Sequence, residues 1–185
     1  MSRRFVLLDR DGTIDAQTAG AYVLHPDDVE LLPGAADGLR ALQTADLGLV
    51  IVTNQAPVAR GWISQAELDA VNARLLDLLE AEGVRIEGIY ACPHDAGDGC
   101  DCRKPEPGLL LRAAADHGFD LTQTYLVGDK DSDVEAGRRA GVTTVLVLTG
   151  EGGAALADGS APDLVARDLQ EAASIISAQV REEAE

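Results

Sequence analysis

Four residues near the middle of the chain carry metal chemistry in their types: Cys92, His94, Cys100 and Cys102, spaced Cys-x-His-x5-Cys-x-Cys. They include every cysteine the chain has. Three cysteines cannot all pair in disulfides, and sulfur and imidazole donors at this spacing suit tetrahedral Zn²⁺. Four protein ligands leave no open position, whereas a catalytic zinc keeps one. Three thiolates also outweigh a divalent ion, so the centre would be net negative and a poor attractor for an anion. The expectation is therefore a structural Zn²⁺ that staples a loop over residues 92–102, a loop with few apolar side chains to hold itself. Arg103 and Lys104 follow directly, so the staple would also position two cations.

A second set is built from oxygen. Asp9 and Asp11 stand two residues apart, followed by Gly12 and Thr13; Thr53, Asn54 and Gln55 form "TNQ"; Asp129, Lys130, Asp131 and Asp133 lie in "GDKDSD". Crowded carboxylates repel unless a cation joins them, and several Asp oxygens suit Mg²⁺. Such a site keeps waters and recruits phosphate. Thr53, Asn54 and Lys104 would then hold the remaining phosphate oxygens. The chemistry expected of this set is phosphoryl transfer to water. Lysine usage agrees: the chain has thirteen arginines and only Lys104 and Lys130 as lysines, both beside these groups. A compact ammonium is a point charge that a guanidinium does not replace.

Apolar runs supply the frame. "RFVLLD" (4–9), "LGLVIVTN" (47–54), "RIEGIYAC" (85–92), "TYLVGD" (124–129) and "VTTVLVLTG" (142–150) read as buried strands, with "DLVAR" as an edge strand. Helices are expected over 33–45, with Leu39 and Leu42 on one face, and over 64–83, where Ser64 and Glu67 form a capping box. Further helices are expected from Pro107 to His117, at "SDVEAGRRAG", and in the tail from Asp168; residues 20–28 read as a flap or hairpin. Continuous apolar strands alternating with helices give an α/β fold, a doubly wound parallel sheet covered on both faces. No repeat or long linker divides it, so a single domain over 1–185 is expected. Ligands of such sheets bind at the carboxyl ends of the strands, where each acidic group falls.

"DRDGT", "VTNQ", "RKPEPG" and "VGDKDSD" together resemble the four ordered motifs of the haloacid dehalogenase superfamily of phosphatases. The cysteine loop, "NQ…ARG" (54–61) and "YVLHPDDVELLPG" (22–34) resemble one branch, the D-glycero-D-manno-heptose 1,7-bisphosphate phosphatases, whose relatives are the histidinol-phosphate phosphatases. The resemblance covers about residues 5–150. It implies that Asp9 is the nucleophile and becomes an aspartyl-phosphate, and that Asp11 protonates the leaving oxygen and then accepts a proton from water. It implies Mg²⁺ on the carboxylates of Asp9 and Asp129 and the backbone carbonyl of Asp11. Lys104 would stabilise the phosphorylated intermediate, and Thr53 and Asn54 would bind the transferring phosphate, with Lys130 and Asp133 ordering the metal loop. The intervals between motifs leave no room for a separate cap domain, so an open cleft is expected. It would suit a substrate with a second phosphate, met by Arg60 and Arg103. The implied activity is removal of the C7 phosphate of the heptose bisphosphate, with histidinol phosphate or another small phosphomonoester as the rival substrate. "Ala56-Pro57-Val58" departs from the branch, which has Ser-Gly-Ile or similar there. A distant alternative is a non-catalytic zinc-bearing interaction module on the same fold.

The formal net charge of −17 argues against nucleic acid as a partner and requires local cations to draw in an anionic substrate. "FVLL" is too short for a signal h-region, and no run approaches a membrane span, so a cytoplasmic monomer with no membrane partner is expected. His117 reads as a cap-region residue, His25 as a surface histidine, and Asp27, Asp28 and "REEAE" as solvated charge. Trp62 and Tyr22 are assigned to packing rather than to stacking on a sugar.

Overall fold

The structure is a computed structural model that describes residues 3–17 and 22–183. Gly20 and Ala21 of the expected flap, and the last two residues of the acidic tail, lie outside the described residues. Six strands form one parallel sheet: β1 (Phe5–Leu8), β2 (Gly48–Asn54), β3 (Gly88–Cys92), β4 (Tyr125–Gly128), β5 (Thr143–Val147) and β6 (Leu164–Ala166), in the order β3-β2-β1-β4-β5-β6. β1 is central, with Leu7 in register with Val50 of β2 on one side and Leu126 of β4 on the other. The chain runs outward one way from β1 through β2 to β3, then returns to β4 on its other side. That reversal opens a crevice at the carboxyl ends of β1 and β4.

The two faces follow from the period-two alternation of the strands. Val6, Leu8, Leu49 and Ile51 pack with Leu39 and Leu42 of α1 (Ala35–Thr44), Val71 and Leu75 of α2 (Gln65–Ala81), and Ala172 and Ile176 of α6 (Leu169–Glu182). Phe5, Leu7, Val50, Val52 and Leu126 pack on the other face with Leu109, Leu110 and Ala113 of α3 (Gly108–His117) and Ala136 of α4 (Asp131–Ala140). The capping box of α2 is formed: Ser64 Oγ accepts from the Glu67 N–H, and the Glu67 carboxylate accepts from the Ser64 N–H at 2.7 Å. Among the described residues no separate cap domain covers the carboxyl edge.

Three expectations need adjusting. A short helix α5 (Gly152–Ala157) follows β5 where none was expected, because the alanine pattern there is too brief to read as periodic. Strand β5 ends at Val147, so Leu148–Gly150 is released as a loop over the site. Trp62 does not pack: it is 57 % exposed, with the Arg60 guanidinium 5.0 Å above its ring. His117 ends α3 as expected, and its ring lies 5.5 Å from that of Phe5. His25 is exposed and accepts the Asp27 N–H at its Nδ1, opening a single turn of 3-10 helix over Pro26–Asp28. The base of the flap is pinned by Ala16 N–H donating to Glu30 and Leu32 N–H donating to Ile14. Among the described residues no helix is long and apolar enough to cross a membrane.

Candidate active site

The same alternation sorts the site residues. Asp9 continues the parity of Phe5 and Leu7 and faces the α3 side, where Lys104 comes in just before that helix. Lys104 Nζ donates to Asp9 Oδ1 at 2.7 Å and to the Val52 carbonyl at 2.8 Å, and lies 2.5 Å from Asp133 Oδ1. All three side chains are buried. Burial opposes the charge on Asp9, but Lys104 and then Lys130 outweigh it and hold the carboxyl below its ordinary range. Burial likewise opposes the Lys104 charge, and Asp133 and Asp9 reverse it. Asp9 is therefore an ionised, fixed carboxylate at the crevice.

Lys130 Nζ occupies an informative point. It donates to the Asp11 backbone carbonyl at 3.0 Å and to Asp129 Oδ1 at 2.8 Å, and stands 3.6 Å from Asp9 Oδ2. They belong to the three groups on which the family resemblance places Mg²⁺, and they converge on one cation. Hard oxygen donors gathered around a single positive charge suit Mg²⁺. Asp9, Asp129 and Asp133 also offer carboxylate oxygens mutually within 4.8 Å. Burial and then Asp9 push Asp129 up to about 7, Lys130 only partly offsetting them. Gly12 makes the close approach feasible: its φ is +89°, and a Cβ there would collide with the Asp129 carboxylate. The Glu151 N–H donates to the other oxygen of Asp129 at 2.8 Å, and the Thr149 hydroxyl donates to the Gly12 carbonyl at 2.7 Å.

Asp11 is held from the opposite side of the sheet. Gln55 Nε2 donates to its Oδ2 at 2.7 Å, and Arg10 donates to its Oδ1 at 2.8 Å. Arg10 and Asp15 are both fully buried. Arg10, Gln55 and Asp15 received no role from the sequence. A signal was present, since the residue between two aspartates on an extended segment must point to the other face. An arginine there enters a position that Val6 and Leu8 fill with apolar side chains.

Asn54 lines the cleft, but its amide also clamps the neighbouring backbone: Nδ2 donates to the Lys104 carbonyl and Oδ1 accepts the Lys104 N–H. One N–H remains for a ligand. Thr53 is buried and its hydroxyl accepts from Gln55 Nε2 at 2.9 Å. The cleft, of ≈ 300 Å³, has Asp9, Asp11, Lys104 and Lys130 at its floor and Tyr22, Arg60 and Arg103 among its other lining residues. Arg60 is engaged by both oxygens of Asp95, at 2.7 and 2.9 Å. The turn over Ala56-Pro57-Val58 throws it there, Arg60 N–H donating to Ala56 and Trp62 N–H to Pro57.

The four soft ligands come together behind this wall. Cys102 Sγ lies 3.1 Å from Cys92 and 3.5 Å from Cys100, Cys92 lies 3.7 Å from Cys100, and His94 Nδ1 lies 3.3 Å from Cys102 and 3.6 Å from Cys92. A zinc about 2.3 Å from each sulfur would set tetrahedral edges at about 3.7 Å, so the donor set fits the ion. Burial and then the Cys102 thiol push Cys92 well up, a pressure that a bound cation would reverse. Arg103 NH1 donates to the His94 carbonyl at 3.0 Å, which ties the cleft arginine to the cysteine loop.

Comparisons agree with this geometry. A HAD-hydrolase-like family model matches residues 101–172. The D-glycero-beta-D-manno-heptose-1,7-bisphosphate 7-phosphatase of Pseudomonas aeruginosa is 39 % identical over 82 % of this chain and 85 % of its own. The protein of the same name from Escherichia coli K12 is 39 % identical over 79 % of this chain and 80 % of its own. The crystal structure of D,D-heptose 1,7-bisphosphate phosphatase from Bordetella bronchiseptica, complexed with magnesium and phosphate, superposes with a TM-score of 0.89 at 35 % identity, covering 96 % of this chain and 99 % of that one.

Proposed function

The chain belongs to the D-glycero-beta-D-manno-heptose-1,7-bisphosphate 7-phosphatase family of HAD-like hydrolases, and on that premise we propose the part each residue plays. The enzyme hydrolyses the 7-phosphate of the heptose bisphosphate and releases heptose 1-phosphate and inorganic phosphate. The observation that carries this reading is the convergence of Asp9 Oδ2, the Asp11 carbonyl and Asp129 Oδ1 on one cation beside the buried Lys104–Asp9 pair.

Asp9 attacks phosphorus while the bond to the C7 oxygen breaks. The departing oxygen takes a proton from Asp11, so the sugar leaves as an alcohol. The Asp11 carboxylate then takes a proton from water as its oxygen attacks the aspartyl-phosphate, which frees phosphate and restores Asp9. Asp9, Asp129 and the Asp11 carbonyl would hold Mg²⁺, which would supply the charge neutralisation that lets one anion approach another. Lys104 holds the carboxylate and faces the negative charge of the transferring group. The Lys130 ammonium, beside Asp9 and Asp129 at the cleft, would meet the phosphate together with Thr53 and the free N–H of Asn54.

Arg60 and Arg103 bind the second phosphate at the mouth, Arg60 exchanging Asp95 for it. Cys92, His94, Cys100 and Cys102 would hold a structural Zn²⁺, and their loop would position Arg103 and Lys104. All of this belongs to a single domain over residues 1–185. The same reading has a cytoplasmic monomer acting on a free sugar phosphate, with neither nucleic acid nor membrane as partner, which the −17 charge supports. Steady-state kcat/KM on the heptose bisphosphate and on histidinol phosphate, with and without Mg²⁺, tests the assignment. The bisphosphate should be favoured and turnover should need Mg²⁺; a clear preference for histidinol phosphate would overturn the substrate.

A further inference from the structure

We propose that Gln55 and Arg10 are positioning residues for the proton transfers of Asp11: each fixes one oxygen of that carboxylate from behind, so that its remaining lone pairs face the cleft. The proposal rests on the reading of Asp11 as the acid and base of the reaction.

Gln55 is buried, and its Nε2 spends both hydrogens, one on Asp11 Oδ2 at 2.7 Å and one on Thr53 Oγ1 at 2.9 Å. That amide therefore has a single rotamer in which it serves Asp11, with Thr53 as its second anchor. Arg10 is anchored as well. Its NH1 donates to Asn72 Oδ1 of α2 at 2.9 Å, its NH2 to Asp11 Oδ1 at 2.8 Å, and its Nε stands 3.6 Å from Asp15 Oδ2. One donor on each oxygen fixes the plane of the Asp11 carboxylate and leaves lone pairs for a water or a leaving oxygen.

The cost of this arrangement separates a functional role from a packing one. Arg10 Nε, both oxygens of Asp15 and Gln55 Oε1 are buried without a hydrogen-bond partner. Apolar residues of similar volume are often as good as, or better than, an incompletely satisfied buried ion pair for stability. Charge and amide are thus buried here where they serve stability poorly, and both end on the same carboxylate. Asp11 must deliver a proton to the C7 oxygen and later collect one from water at nearly the same point. A misplacement of about 1 Å in such a group can cost about 100-fold in rate. The described residues include no cap domain over the site, and both donors to Asp11 come from below, from the side of the sheet.

The test exploits the leaving group. The value of kcat/KM reports steps up to departure of the leaving group. A p-nitrophenolate leaves with little proton help, whereas a sugar alkoxide needs it. Gln55→Met keeps the volume and removes the donor. It should lower kcat/KM about 100-fold on the heptose bisphosphate, lower it far less on p-nitrophenyl phosphate, and leave KM for the bisphosphate near wild type. Arg10→Met should show the same split if it folds; the neutral Gln55 variant, checked by its melting temperature, decides the matter if it does not. An equal loss on both substrates, or no loss on either, in Gln55→Met overturns the proposal. Asp11→Asn is the control: absence of a leaving-group split in that variant would refute Asp11 as the acid, a failure distinct from a split in Asp11→Asn that Gln55→Met does not share.

Discussion

Two clusters in this protein are each suited to a divalent cation, and they differ in almost every other respect. The oxygen cluster of Asp9, Asp129 and the Asp11 carbonyl is hard, adjoins the cleft and already holds an ammonium. The cluster of Cys92, His94, Cys100 and Cys102 is soft and fills a tetrahedron, and the described lining of the cleft includes none of its members. The carboxylates are buried and the soft ligands are buried or half-buried, so burial alone does not tell a site for chemistry from a structural one. Donor softness, a free coordination position and access to substrate do. Each cluster has a lysine or arginine next to it: Lys130 sits within the oxygen set, whereas Arg103 donates to the His94 backbone carbonyl of the sulfur set.

The contrast can be broken most forcefully at Asp9. Asp9→Asn should lower phosphate release by about 10⁴-fold or more, as loss of a covalent nucleophile does, with the fold intact by circular dichroism. Residual activity near wild type would remove the oxygen cluster from the chemistry.

A smaller effect is expected at the mouth. Arg103→Ala should raise KM for the bisphosphate about 10-fold, from the loss of one charge-assisted contact, and leave KM for a simple monophosphate unchanged. An equal rise for both would place Arg103 on the transferring phosphate instead.

Cys100→Ala should lower bound zinc measured by atomic absorption and the melting temperature, with kcat reduced only several-fold. Unchanged zinc content and activity would show that the sulfur cluster staples nothing.

The smallest effect is in pH. Burial, then Asp9, pushes Asp129 up to about 7, and burial, then Asp11, does the same for Asp15. The folded chain then holds protons that the unfolded chain has released between about pH 4 and about pH 7. The associated stability is full below about pH 4 and is lost as pH rises through about 7. Melting temperatures of the metal-free protein should therefore fall between pH 5 and pH 8, and added Mg²⁺, which needs Asp129 ionised, should stabilise more at pH 8. A flat profile would mean that a cation already satisfies these carboxylates.

The lines of the fold could be read in the chain because its strands are continuous apolar runs ending in acid. "FVLLD" and "YLVGD" each name a strand and the aspartate that follows it to the crevice. The capping box at Ser64 was equally local, one side chain meeting a backbone three residues on. Helix α5 was not legible, since six residues rich in glycine and alanine carry no periodic face. The place of Trp62 was not legible, because a large aromatic is ordinarily drawn inward, whereas here the ring is exposed beneath Arg60. The place of Asn54 at a strand end beside the cleft was legible, but not its grip on the Lys104 backbone, which joins positions fifty residues apart.

By itself the sequence determined which residues could bear charge, metal and phosphate, because donor type and short spacing are written locally. Four soft ligands within eleven residues and an Asp-x-Asp after a strand need no distant partner to be recognised. Only the tertiary structure decided which groups share one point in space. Period-two alternation sent Asp9 toward Lys104 and Arg10 toward Asn72, and parallel pairing of β1 with β2 and β4 brought Gln55 and Lys130 beside Asp11. Those meetings arise from sheet order and side-chain parity acting across separate strands, and no single stretch of chain contains them.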